Sequence, residues 1–223
     1  KADRNTKWGV HDHIVFEKLS ADLDRAVLPF FYSFFTLTSH EPFEIPVKPH
    51  FEGSSTDTKF INSIHYTDQA LGNFIDKAKK SHWWKNTLII LLADHGSQHP
   101  GNSPHFSPEK FHIPMLWIGG AIAVEDTIIT ATCSQTDLAA TLFGQMNIDH
   151  SRFKYSRDLF CPYPDPFAYY SFNNGFGYIT DSSFAIFDFN SKQVLSESGD
   201  STKRLTENGK AYLQVIYNDF LKK

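Results

Sequence analysis

Hydrophobic and polar positions follow two different periods along the chain, and the two periods predict strands interleaved with helices. Residues 87–93 and 113–118 are short, continuous apolar runs, as expected for strands of a parallel sheet that is covered on both faces. Residues 60–80 instead carry apolar side chains at helical spacing, with basic residues in the last turn. This alternation predicts an α/β fold with a mainly parallel sheet and helices on both faces.

Other segments before residue 145 fit the same alternation. The adjacent Trp83 and Trp84 are expected to pack at a helix end, and a substrate platform is the alternative. The remaining predicted elements of this part are a helix from Asp12, a buried strand at 28–37, a short β-branched strand at 127–132 and a capped helix from Ser134.

The pattern changes towards the end of the chain. Residues 167–196 are rich in aromatic residues, Gly and Asn, which predicts short antiparallel strands, and a helix follows at about 203–221. The aromatic side chains here either complete a small sheet or form the rim of a substrate site. We therefore predict a main domain at residues 1–160 and a small C-terminal β/α subdomain at residues 161–223 packed on it.

Composition narrows the class of protein. With 223 residues, 41% of them hydrophobic, the chain can bury one sizeable core. A formal net charge of −4 without a long basic run argues against a nucleic-acid partner. Neither G-x-x-x-x-G-K-[ST] nor G-x-G-x-x-G occurs, and no apolar run approaches the roughly 20 residues of a membrane span. The two cysteines, Cys133 and Cys161, fit free thiols or a single bridge.

Two predicted strands end in side chains that can bind a ligand. His40 follows the first strand, and Asp94 and His95 follow the strand at 87–93. If these strands are parallel, their carboxyl ends meet at one rim of the sheet, where ligands of open α/β folds collect. The loop after Asp94 adds His99 and His105. A purely structural alternative remains for Asp94, since Asp and Gly favour turns, and for His40.

Five short motifs together resemble the alkaline phosphatase and sulfatase superfamily. Asp94-His95-Gly96 after an apolar strand resembles its metal-binding strand end, and the TLTSHEPF segment around His40 resembles the substrate-histidine segment of lipoteichoic acid synthases and related phosphoglycerol transferases. The likeness extends over roughly residues 8 to 160. The further matching segments, in order, are YTDQALGNF at 66–74, HIPMLW at 112–117 and QTDLAATL at 135–142.

This resemblance implies a role for each matching residue. Asp94 and His95 correspond to two of the metal ligands, and His40 to a residue that contacts the phosphate group of the substrate. His105 resembles the downstream histidine that related phosphoethanolamine transferases have near that group, and His99 competes with it for this role. An imidazole beside a carboxylate favours Mn²⁺ or Zn²⁺ over Mg²⁺ or Ca²⁺.

The resemblance also implies a function. We expect a metal-dependent phosphoglycerol or phosphoethanolamine transferase that acts on phospholipid head groups, as an extracytoplasmic domain of a membrane-anchored protein in the periplasm or at the cell surface. The family takes its Thr or Ser nucleophile, and another acidic ligand, from segments before the part that corresponds to Trp8. We therefore expect the chain to be a fragment that is inactive alone, with the membrane anchor in the missing N-terminal part.

Two alternatives remain at this level. One is a sulfatase or phosphodiesterase of the same superfamily, and the other is a non-catalytic binding module on this fold. Sulfatases need a Cys- or Ser-x-Pro-x-Arg segment for their formylglycine, which the sequence CPYPD from Cys161 does not match. Phosphoryl transfer is therefore favoured over sulfuryl transfer.

Overall fold

A computed structural model of the chain describes residues 4, 7, 9–124, 126–161 and 165–222. Its contacts divide the chain into two compact units. The first comprises Lys1–Ser103 and His112–Glu125, and the second comprises Pro104–Phe111 and Asp126–Lys223. The division at residue 160, inferred from the sequence, stays a prediction.

Two helices form the centre of the first unit. α1 spans Asp12–Leu23 and α2 spans Thr56–Ala78, so both predicted helices are confirmed. α2 begins one turn earlier than its apolar pattern, because the Ser55 side chain accepts a hydrogen bond from the amide of Thr58 at 3.1 Å and caps the helix. The helices pack through an apolar cluster in which the rings of Phe16 and Phe74 stack at 5.3 Å.

Trp83 belongs to the same cluster. It is 5% exposed, and its Nε1 donates a hydrogen bond to Asp24 Oδ1 at 3.0 Å. Its neighbour Trp84 packs against the cluster from the outside. Since a buried indole with its N–H satisfied is part of the core, the prediction that this pair packs at a helix end is confirmed.

The strands of the first unit form a two-stranded antiparallel sheet. β1 (Ile89–Leu92) pairs with β2 (Met115–Ile118), with Ile89 opposite Ile118. Both strands were predicted, but the parallel sheet with helices on both faces is not confirmed. A continuous apolar run indicates burial on both faces and carries no information about the direction of the neighbouring strand.

Two predicted strands are wrong. Residues 28–37 form no strand, with 28 and 29 in a bend and 30–37 without regular structure, and residues 127–132 also form no strand. In the first segment Phe30 and Phe34 pack against the helical cluster while Phe31 is 87% exposed. In the second, Ile128 is 85% exposed. Apolar and β-branched residues favour an extended backbone, but a strand also needs a partner with free backbone groups, which local sequence does not specify.

The second unit contains a four-stranded antiparallel sheet in the order β3-β4-β5-β6, with a helix packed on it. Both the small antiparallel sheet and the closing helix are therefore confirmed. Phe176 and Leu205 lie at the centre of the core between sheet and helix, and the aromatic side chains of this region build that core. The elements are β3 (Phe167–Phe172), β4 (Gly175–Thr180), β5 (Phe184–Asp188), β6 (Gln193–Ser198) and α4 (Thr202–Phe220).

A short helix, α3 (Leu138–Gln145), follows a capping box formed by Ser134 and Asp137 in the same unit. Asp137 is fully buried, and Arg157 offsets its charge through Nη2 at 2.5 Å and Nε at 3.0 Å. The capped helix predicted from Ser134 is thus confirmed. Both cysteines are free thiols. Among the helices of the described residues, none is long and apolar enough to cross a membrane.

Candidate functional site

His40 lies on a turn that α1 holds in position. The amide of His40 donates to the carbonyl of Leu37 at 3.1 Å, and the amide of Phe43 donates to the carbonyl of His40 at 2.9 Å. Upstream, the buried carboxylate of Asp12 accepts hydrogen bonds from the amides of Leu37 and Thr38 at 2.8 and 3.2 Å. The side chain of His40 is exposed. The first turn of α1 therefore anchors the segment that presents this histidine to solvent.

Asp94 and His95 lie on an exposed bend just after β1, separated from it by Ala93. Their side chains are 66% and 76% exposed, and His95 Nε2 lies 3.7 Å from Asp94 Oδ2. The amide of His95 donates to Asp94 Oδ1 at 3.0 Å, while its Nδ1 lies 2.8 Å from the carbonyl oxygen of Gly96. The second contact assigns the proton of the neutral ring to Nδ1 and leaves Nε2 as the nitrogen that can ligate a metal.

These two donors can share one cation. Metal bonds of about 2.0 to 2.2 Å from carboxylate oxygen and imidazole nitrogen separate two ligands of one ion by roughly 3 to 3.5 Å. The observed 3.7 Å between Asp94 Oδ2 and His95 Nε2 is close to that separation. Within the described residues, however, no group of three or more His, Cys, Asp and Glu side chains is arranged to hold a metal. The pair fits two positions of a coordination shell.

His99 lies beside the turn that carries His40. Its Nε2 is 4.0 Å from Oε1 of Glu41, the residue after His40, and its ring centroid is 5.8 Å from that of Phe43. Its Nδ1 is 2.7 Å from Oδ1 of Asp57 in the first turn of α2. The structure thus brings His99 and the His40 turn together within the first unit.

His105 belongs to the second unit. Its side chain is exposed, and its ring centroid lies 5.3 Å from that of Phe106 and 5.8 Å from that of Phe172. The carbonyl of Phe106 accepts a hydrogen bond from the Tyr170 hydroxyl at 2.7 Å, which fixes the backbone next to His105. Within its own unit, His105 therefore packs against the rings of Phe106 and Phe172.

Asp57 is the residue of this region that sequence reasoning missed. The hydrogen bond from His99 and, after it, one from the amide of Gly101 hold the pKa of its carboxyl below the ordinary value. An acidic residue in the first turn of a helix has a general explanation in the helix dipole, so its type gave no specific signal. The one signal for such a residue was the number of histidines in the loop after Asp94. A histidine usually has a hydrogen-bond partner for one ring nitrogen, and a carboxylate is a common partner.

A family model described as Sulfatase matches residues 1–148. The chain belongs to the sulfatase family. Lipoteichoic acid synthase-like YvgJ from Bacillus subtilis is 27% identical over 184 residues, which are 74% of this chain and 30% of that protein. Phosphoglycerol transferase I from Xanthomonas euvesicatoria is 26% identical over 142 residues, which are 60% of this chain and 20% of that protein. The chain thus spans less than a third of the length of these relatives.

Solved structures agree with the family assignment. A protein of the alkaline phosphatase superfamily from Vibrio parahaemolyticus is similar with a TM-score of 0.74 and 27% identity, covering 92% of this chain and 53% of that one. The lipoteichoic acid synthase LtaP from Listeria monocytogenes is similar with a TM-score of 0.74 and 16% identity, covering 99% of this chain and 61% of that one. The superfamily resemblance inferred from the five motifs is confirmed, and the second match supports the fold alone.

Proposed function

We propose that this sulfatase-family chain carries part of a metal-dependent site that transfers phosphoglycerol or phosphoethanolamine from phospholipid head groups. The observation that carries the proposal is the Asp94–His95 pair just after β1, in which the two donor atoms are about as far apart as two ligands of one cation. Relatives named phosphoglycerol transferase and lipoteichoic acid synthase support phosphoglycerol as the transferred group. Because the proposed substrate is a membrane lipid, we also propose an extracytoplasmic location at the membrane surface.

Asp94 and His95 act as metal ligands in this proposal. A carboxylate with an imidazole suits Mn²⁺ or Zn²⁺ better than Mg²⁺ or Ca²⁺. When bound, such a cation polarises a phosphoryl oxygen as a Lewis acid. Structural zinc sites use four protein ligands and catalytic ones three, whereas this position offers two among the described residues. We therefore expect the 223-residue chain by itself to bind metal weakly and to show little turnover.

Two histidines act on the phosphoryl group in this proposal. His40, exposed on its turn, binds the phosphoryl oxygens, and an imidazole that donates hydrogen bonds offsets the charge that develops there. For the second histidine we favour His99 over His105, because Nε2 of His99 lies 4.0 Å from the residue next to His40. The role inferred for His105 from the family resemblance stays a prediction.

The exposure of the Asp94–His95 pair also favours a second candidate function. Two donors that are 66% and 76% exposed also fit a module that binds an anionic head group through a weakly held cation, without turnover. A sulfatase or phosphodiesterase activity on the same residues would differ in the ester that is cleaved. The vesicle assay described next distinguishes the binding module and the sulfatase from lipid cleavage, and free glycerol phosphate in place of an acceptor-bound product identifies a phosphodiesterase.

The proposal is tested with fluorescent phosphatidylglycerol in vesicles, the complete gene product and Mn²⁺. We expect release of fluorescent diacylglycerol, which EDTA and Asp94→Asn abolish. Asp68→Asn, at an exposed position in the middle of α2, is the matched control and should retain activity. Lipid binding without release would favour the binding module, and cleavage of an aryl sulfate without lipid turnover would favour a sulfatase. Either result contradicts the proposal.

A further inference from the structure

The imidazole of His99 is the most constrained of the histidines in the first unit's candidate site. Its side chain is 17% exposed, whereas that of His95 is 76% exposed. The rings of Phe43 and Phe60 lie against it, with centroids 5.8 and 5.9 Å from its own. Two aromatic walls and low exposure restrict the rotation of the ring, so the direction of each nitrogen is set by the fold.

Asp57 determines which ring nitrogen carries the proton. Its Oδ1 lies 2.7 Å from His99 Nδ1, and its Oδ2 accepts a hydrogen bond from the amide of Gly101 at 3.4 Å. A carboxylate this close accepts a hydrogen bond from the ring, so neutral His99 carries its hydrogen on Nδ1. The low pKa of Asp57, which this hydrogen bond causes, keeps the carboxylate ionised. The bond to Gly101 ties the carboxylate to the loop that carries His99.

Nε2 of His99 is consequently the nitrogen available to a ligand. Oε1 of Glu41 lies 4.0 Å from it, and the side-chain amide nitrogen of Gln98 lies 3.4 Å from it. The first distance is too long for a direct hydrogen bond. The exposed Gln98 amide donates a long hydrogen bond to Nε2, which a ligand can replace, and Nε2 faces the turn that presents His40.

We propose that Asp57 is a positioning residue that keeps the His99 proton on Nδ1 and directs Nε2 towards a phosphoester oxygen beside the His40 turn. The proposal rests on the proposed function, because that function supplies the phosphoester. A phosphomonoester or phosphodiester that binds here accepts a hydrogen bond from Nε2–H once the ring takes up a second proton. Asp57 then stabilises the positive charge of the ring through the same Nδ1–H bond.

Asp57 acts through His99 and has no contact with the ligand in this arrangement. Loss of the carboxylate partner of a metal-ligating histidine lowers metal affinity or activity by about 10- to 100-fold, and we expect a loss at the low end of this range for His99. Asp57→Glu retains a carboxylate and should restore most of the effect, whereas Asp57→Asn lacks the charge and can present an amide donor to the ring. A purely structural role for Asp57 would change the stability of α2 and leave the tautomer of His99 as it is.

The test uses the 223-residue chain labelled with ¹⁵N. At alkaline pH, long-range ¹H–¹⁵N spectra should show His99 protonated on Nδ1 in the wild type, in Asp57→Glu and in the control Asp68→Asn, and a changed tautomer in Asp57→Asn. Titration with sn-glycerol 3-phosphate should give a dissociation constant about tenfold higher for Asp57→Asn than for the wild type. Amide spectra of each variant verify that the chain is folded.

Two contrary results can be told apart. If Asp57→Asn has the tautomer and the glycerol 3-phosphate affinity of the wild type, the positioning role is overturned and the proposed function remains. If the wild type binds no glycerol 3-phosphate, the positioning role is overturned, and lipid turnover by the complete gene product decides the proposed function separately.

Discussion

The buried carboxylate of Asp12 accepts a hydrogen bond from the amide of Leu37 at 2.8 Å, and this contact connects α1 to the segment that carries His40. The same side chain accepts hydrogen bonds from the amide of Thr38 at 3.2 Å and from the hydroxyl of Thr67 in α2 at 2.8 Å. One carboxylate thus satisfies three donors from two other segments. The position of the His40 turn therefore depends on a residue that does not itself face the ligand.

Replacement of Asp12 by alanine should destabilise the chain. The amides of Leu37 and Thr38 would lose their shared partner in a buried environment, and each unsatisfied donor is costly. We expect the free energy of unfolding to fall by about 2 to 4 kcal/mol. Urea denaturation measured by far-ultraviolet circular dichroism gives this value.

Asp22→Ala is the control for Asp12, because Asp22 lies in the same helix and pairs with the exposed side chains of Lys18 and Arg25. We expect it to cost far less than Asp12→Ala, because surface ion pairs contribute little to stability. Equal losses for the two alanine variants would show that Asp12 acts only as a helix residue.

Two glycines in helices should respond to alanine with opposite signs. A Cβ at Gly209 in α4 would overlap the fully buried ring of Phe176, whereas a Cβ at Gly72 in α2 would meet no atom within 4 Å. Gly209→Ala should cost about 1 to 3 kcal/mol through overpacking, although alanine is the better helix former. Gly72→Ala should instead stabilise the chain by up to about 1 kcal/mol. Thermal unfolding of the two variants checks the signs, and stabilisation by both would contradict the packing of α4 on β4.

The sequence predicted the helices of this chain well and the sheet of the first unit poorly. Helix signals are local: the spacing of Leu71, Phe74 and Ile75 lies within α2 itself, and the cap at Ser55 immediately precedes it. The direction in which β1 pairs is a non-local property, which the apolar run at 87–93 cannot specify. The same difference explains the segment around Phe31, whose apolar residues predicted a strand although no neighbouring strand pairs with it.

In the candidate site, too, the sequence predicted local features and missed a contact between distant residues. The residue types of Asp94, His95 and His40 could be recognised from short motifs, because each motif is continuous in sequence. The pair formed by Asp57 and His99 could not, since 42 residues separate the two and an acidic residue near a helix start is common. We prefer His99 to His105 as the second phosphoryl-binding histidine because it lies close to Glu41 in the structure. No feature of the sequence favoured His99 over His105.

Removal of the Glu41 charge should strengthen binding of an anion at His99. Glu41 Oε1 lies 4.0 Å from His99 Nε2, and this carboxylate repels a phosphate group that approaches the same nitrogen. We expect Glu41→Gln to lower the dissociation constant for sn-glycerol 3-phosphate by about two- to fivefold, the range for an exposed charge pair. Isothermal titration calorimetry at low and high salt checks the value, and the gain should shrink as salt screens the charges. Weaker binding in Glu41→Gln would contradict this geometry of the site.

Binding of a divalent metal by Asp94 and His95 is central to the proposed function. Titration of the 223-residue chain with Mn²⁺, followed through the electron paramagnetic resonance signal of the free ion, measures this directly. We predict weak but measurable binding by the wild type and by Asp68→Asn, and a dissociation constant higher by about tenfold or more in Asp94→Asn and His95→Gln, since each loses one of two ligands. Mn²⁺ binding that is equal in the wild type and in both ligand variants would contradict the claim.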